Sequence, residues 1–248
     1  MSKSSKNRKP KAAPKSSRLP IIIGIIITAI IVISAGIFLL DQHTTTTTTS
    51  KTVSNKPIIL YVNQGNGLVD ESNFSSLVSF AKTNGFNTIF FQVYRSGTLL
   101  FTQSELTYFV SDVHVQNLSI FFALYFTDST QKIPTSIFGL GENGISLDMS
   151  TLPTSTQEGL LQTLKQNYLE GKTAMTTTNF TTTLNPDLLI LETYQSSDQS
   201  YIHPGIIAGV EPLAIASKQD YEQQFEYALT HSDGVMVFDY YGLLKTGY

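Results

Sequence analysis

Four acidic residues, Asp148, Glu192, Glu211 and Asp239, close apolar runs of the chain. Two carboxyl groups held roughly 5–10 Å apart can cleave a glycosidic bond, one protonating the leaving oxygen while the other attacks or stabilises the oxocarbenium-like centre. Glu211 is the first candidate, because in Gly209-Val210-Glu211-Pro212 the proline forbids smooth continuation of a strand and aims the acid from its end. Asp148 is its expected partner across the mouth of the fold, and Glu192 or Asp239, on neighbouring runs, can replace Asp148 in the pair. Each acid also has a purely structural role open to it, as the cap of a following helix or the partner of a rim Lys or Arg.

Amides, a cation and aromatic rings accompany the acids at the same positions: Asn63, Gln92, Tyr94, Arg95, Tyr125, Asn179, Tyr194 and Tyr240. These are expected to bind substrate. The same set without a working acid pair would make a glycan-binding surface, with Tyr61, Tyr94, Tyr125, Tyr194 and Tyr240 as its aromatic rim. Other chemistries find less support. The chain has no Cys, which removes thiolate chemistry, and His43, His114, His203 and His231 are too far apart for metal-ligand spacing, so no metal is expected. No Gly-x-Ser-x-Gly elbow occurs, and Gln64-Gly65-Asn66-Gly67 is too short a match for a phosphate loop; no cofactor is expected.

Eight runs read as strands: Ile58–Asn63, Asn87–Tyr94, Leu118–Phe126, Gly144–Met149, Thr173–Asn179, Leu188–Tyr194, Ile206–Glu211 and Gly234–Tyr240. Several are apolar at consecutive positions, as suits strands covered on both faces. Helical rhythm appears in Asp70–Thr83, stopped by Asn84-Gly85, and in Gln157–Glu170 and Lys218–Thr230. Eight strands with intervening helices predict an α/β fold, a compact (β/α)8 TIM-type barrel, whose working face is the C-terminal end of the strands. The links around Thr181–Pro186 and Gln195–Pro204 are too short for full helices. An open doubly wound sheet is the alternative, less favoured without a Gly-rich loop after the first strand.

The first fifty or so residues are of a different kind. Residues 1–19 hold seven Lys and Arg and no acid, and the run Ile21–Leu40 carries no charge. Twenty residues make a helix roughly 30 Å long, the thickness of a bilayer core, so residues 20–40 are expected to cross a membrane as an uncleaved anchor, with a cleaved signal peptide as the lesser alternative. The basic side stays in the cytoplasm, which places the rest of the chain outside it. Residues 41–56, with Thr44 to Thr49, read as a tether, and 57–248 as the extracytoplasmic domain. From Asp41 onward there are 19 acids and nine Lys or Arg, a net of −10, which disfavours nucleic acid or another polyanion as partner. With no disulfide to rely on, the domain must stand on its core, and its length is sufficient for one.

The stretch from Asn84 to Phe101 resembles the second-strand motif of the glycosyl hydrolase-like barrels related to family 10, with Asn87, Thr88, Phe91, Gln92, Val93 and Gly97 matching in register. Asp233-Gly234-Val235-Met236-Val237-Phe238-Asp239-Tyr240-Tyr241 is similar to that family's last-strand segment. The resemblance implies a (β/α)8 fold and a polysaccharide or glycan as ligand. Two positions depart from the pattern: Tyr94 stands where the family has Arg, with Arg95 one place on, and Tyr240 stands where it has a second Asp. Two readings therefore stand at this point, a membrane-anchored glycoside hydrolase acting at the cell envelope and an inactive barrel that binds glycan or protein. A purely structural envelope protein is a third.

Overall fold

The β-branched and aromatic runs form eight parallel strands in the computed structural model, which describes residues 56–67 and 69–247. The strands are β1 (Ile58–Val62), β2 (Thr88–Arg95), β3 (Ser119–Tyr125), β4 (Gly144–Asp148), β5 (Lys172–Thr177), β6 (Leu188–Glu192), β7 (Ile207–Val210) and β8 (Gly234–Phe238). Each strand pairs with its sequence neighbours, and β1 pairs with both β2 and β8, Ile59 facing Thr88 on one side and Met236 on the other. The sheet thereby closes on itself, as the alternation of strands and helices predicts. A two-residue strand, Thr98–Leu99, folds back antiparallel on the end of β2.

Among the described residues, five helices accompany the strands: α1 (Phe74–Thr83), α2 (Gln103–Val115), α3 (Thr154–Asn167), α4 (Lys218–His231) and α5 (Tyr240–Thr246). The expected helices correspond to α1, α3 and α4, and Gly85, at φ +80°, ends the α1 turn as the Asn84-Gly85 signal suggests. The α2 and α5 helices are additions to that expectation. Thr102 caps α2, accepting from the Glu105 N–H while the Glu105 side chain accepts from the Thr102 N–H, a reciprocal cap that holds both orphan donors. The crossovers from β3 to β4, β5 to β6 and β6 to β7 contain only 3-10 turns or irregular chain.

Two apolar layers result. Ile59, Tyr61, Phe90, Phe121, Ala123, Ala174, Ile190, Ile207 and Met236 alternate along the strands and fill the barrel interior. The opposite strand faces pack on the helices, with Phe74, Phe91 and Phe109 in mutual ring contact at 4.4–5.5 Å. The expected basic tail, membrane span and most of the Thr-rich tether lie outside the described residues. Among the described residues, no helix is long and apolar enough to cross a membrane.

Candidate active site at the barrel mouth

Strand alternation decides which side chains reach the mouth. Asp148, Glu192 and Glu211 stand an even number of residues beyond interior positions of their strands, and register sets Asp148 between Tyr125 and Thr176 and Glu192 beside Gly209. Asp148 is buried, and its Oδ2 accepts a hydrogen bond from the Tyr61 hydroxyl at 3.1 Å. Burial pushes its carboxyl up to about 6; the Tyr61 hydroxyl, the Ser150 N–H and the charge of Arg95 pull the other way. Its second oxygen, Oδ1, has no hydrogen-bond partner among the described residues.

Glu192 is pushed further, to about 8, first by burial and then by the negative charges of Asp148 and Glu211. Glu211 is raised by burial and by Asp239. Asp239 is raised by burial, partly offset by backbone N–H groups that its carboxylate accepts from, among them Gly242 at 2.9 Å. The four acids thus form one electrostatic chain, Asp148 to Glu192 to Glu211 to Asp239. Asp239 fills the capping role foreseen as an alternative, at the start of α5. Glu211 makes no cap to the short turn after it, and Asp148, Glu192 and Glu211 form no ion pair among the described residues.

The companions divide. Tyr194 is half-buried against Phe238 at 5.7 Å, its hydroxyl raised by burial and by Glu192, Asp148 and Glu211. Gln92 is buried, with Oε1 accepting from the Gln64 N–H at 2.9 Å and its side chain against the Tyr61 hydroxyl. Arg95 donates to Asn63 Oδ1 at 3.3 Å and lies 5.5 Å over the Tyr125 ring, forming one rim. Tyr94 and Tyr240 do not join them. The register slips between Gln92 and Tyr94, and Tyr94 packs outward on Phe126 at 5.2 Å. Tyr240 begins α5 after the chain has turned off β8, and packs on Phe80 of α1 at 5.0 Å. Asn179 spends its side-chain oxygen on the Thr181 N–H and hydroxyl, bracing a turn.

Ser146 and Thr176 were not foreseen at the site. Their hydroxyls are buried without a hydrogen-bond partner among the described residues, Ser146 one inward step below Asp148 on β4 and Thr176 beside Asp148 on β5. Counting back two residues from each strand-end polar residue would have reached Ser146. Among the described residues, no three His, Asp or Glu side chains are grouped to hold a metal ion.

No protein-family model matches the chain, and no curated protein sequence matches it. Solved structures do. An endo-1,4-β-mannanase from Eisenia fetida is 11% identical with a TM-score of 0.54, covering 75% of this chain and 86% of its own. The family 18 chitinase ChiB from Flavobacterium johnsoniae is 11% identical at a TM-score of 0.50, over 75% and 88%. A protein named CpGH84B is 7% identical at 0.54, over 73% of this chain, which spans only 44% of that one. At such identities the likeness shows the fold alone: a TIM barrel of the kind these glycoside hydrolases use, with no tie to family 10 in particular.

Proposed function

We propose that this is a glycoside hydrolase-like barrel, held at the outer face of a membrane by residues 20–40, that binds polysaccharide and hydrolyses its glycosidic bonds. The observation that carries the reading is the placement of Glu192 at the end of β6 beside Gly209 of β7, two residues before Glu211, where burial and neighbouring acids push its carboxyl up to about 8. Two acids whose surroundings separate their proton affinities divide the work of acid and base. Glu192 is the general acid, protonated at neutral pH, and Glu211, half-buried and less strongly perturbed, is the nucleophile or base. Asp148 and Asp239 flank the pair and hold its charge, while Gln92, Tyr194, Asn63, Arg95 and Tyr125 line the path of the sugar. The family 10-related motifs at β2 and β8 and the barrel likeness support the carbohydrate class. The uncharged run after seven basic residues supports the anchor.

The test is turnover of a panel of aryl glycosides and polysaccharides by the full chain beside Glu192→Gln and Glu211→Gln. Loss of about 10²–10⁴-fold in either variant is expected for a general acid or base. No turnover on any substrate, with glycan still bound, would sink the hydrolytic form and leave the binding module. One observation favours that second reading: Tyr240, where the resemblance has an acid, is turned away against Phe80. Accessibility of a C-terminal tag on intact cells tests the topology.

A further inference from the structure

Two of the three crossovers without an α-helix, residues 178–187 after β5 and 193–206 after β6, bring Phe180 and Tyr201 together. Their rings stack with centroids 4.3 Å apart and planes 13° from parallel. Phe180 rests on the outer core, whereas Tyr201 remains 44% exposed. Both sides of the stack are braced. Asn179 locks the turn beside Phe180 through its bonds to Thr181, and Asp198 accepts from the Gln195 N–H at 3.0 Å to fix the 3-10 turn that ends at Tyr201. The next residue, Ile202, is buried and anchors the loop from below.

An exposed ring costs solvation free energy, and here it is backed by a second ring and held by two polar braces beside the strand that carries Glu192. A preorganised flat apolar face next to a polar mouth suits the apolar face of a pyranose ring. We infer that the Phe180–Tyr201 stack is a sugar-binding platform, on which a unit of the polymer beyond the reacting bond lies against Tyr201. The inference rests on the proposed function and extends it: the ligand is a chain long enough to reach from the mouth to the loops after β5 and β6. The mouth gathers four acids, Asp148, Glu192, Glu211 and Asp239, and Arg95 is the cation whose charge acts on Asp148, so the polymer is uncharged or amino-bearing rather than acidic.

The experiment is calorimetric titration of the full chain and of Tyr201→Ala and Tyr201→Phe with cellohexaose, mannohexaose, chitohexaose and an oligogalacturonate, beside the matching aryl monosaccharides. The best-bound hexasaccharide should lose about tenfold in affinity in Tyr201→Ala and keep it within about twofold in Tyr201→Phe, and preference for the long ligand over the aryl monosaccharide should fall by about tenfold in the alanine variant. Unchanged affinity in Tyr201→Ala, equal loss for long and short ligands, or tighter binding of the oligogalacturonate would each overturn the platform. So would failure of the unmodified chain to bind any hexasaccharide, even if it cleaves aryl glycosides. Hexasaccharide binding that depends on Tyr201 but goes with no turnover supports the platform while removing the hydrolytic reading.

Discussion

The Tyr61 hydroxyl on β1 reaches across the barrel to Asp148 on β4, donating to Oδ2 at 3.1 Å. The tyrosine therefore stabilises the charged form of a carboxylate that burial opposes. Removing the hydroxyl takes away that support and leaves burial unopposed on that side. In Tyr61→Phe the Asp148 carboxyl should titrate higher than in the unmodified chain, read by carbon NMR of the labelled carboxyl. At pH values where Asp148 is ionised, the variant should also lose about 1.5–3 kcal/mol of stability, as expected for a hydrogen bond to a charged acceptor. An unchanged Asp148 titration would show that the bond has no electrostatic weight.

Asp148 acts on Glu192 in the opposite sense, since its charge is the second cause, after burial, of the raised Glu192 carboxyl. Asp148→Asn keeps the shape and an acceptor for Tyr61 but removes the charge. Glu192 should then lose its proton at lower pH. If Glu192 is the general acid, the alkaline limb of the pH–rate profile moves toward neutrality in this variant; a direct carboxyl titration reads the same shift without turnover. A limb that stays near pH 8 or moves upward would take Glu192 out of that role.

Much of this architecture can be read in the residues, for reasons that differ by element. The strands are legible because each must be apolar on both faces: Thr88 to Tyr94 is buried throughout, so no other element fits it. Helix α2 carries Leu106, Phe109, Val110 and Val113 at helical spacing, but its β-branched and aromatic content blurs the pattern against that of a strand. The acids at strand ends follow from alternation and the known geometry of a barrel. Tyr94 and Tyr240 escape because one slips with a local register shift and the other follows a chain turn, and neither event leaves a mark in the spacing. The linking of Asp148 to Glu192 depends on the stagger of two non-adjacent strands, and that of Glu192 to Glu211 on the register of β6 on β7, neither of which a single segment encodes.

Asp148 and Glu192 hold their protons more tightly in the folded chain than at the ordinary values of 3.8 and 4.5. Their stabilising effect is therefore complete below about pH 4 and is lost as pH rises through about 6 for Asp148 and about 8 for Glu192. Thermal midpoints should fall across that window. The Asp148→Asn variant should fall less, gaining about 3 kcal/mol relative to the unmodified chain at the alkaline end. A flat stability profile between those limits would mean that the mouth admits enough water to solvate both carboxylates.

The barrel must also be filled below the site, and Gly144 marks where space runs out. It opens β4 facing Phe121 of β3 and Lys172 of β5, and a Cβ built on it would overlap the Phe121 ring and the Lys172 carbonyl. Phe121 cannot give way easily, because it stacks on Phe90 at 4.7 Å inside the closed barrel. Gly144 has no positive φ, so the requirement is one of room and not of backbone conformation. Gly144→Ala should therefore destabilise the domain by about 1–3 kcal/mol, as overpacking does in a filled interior. Combining it with Phe121→Leu should recover part of the loss, whereas Gly85→Ala, where nothing lies within 4 Å of the added carbon, should owe its cost to the left-handed backbone and gain nothing from Phe121→Leu. Denaturant midpoints of the three single and two double variants measure the difference, and equal rescue of both glycine variants would refute the steric account.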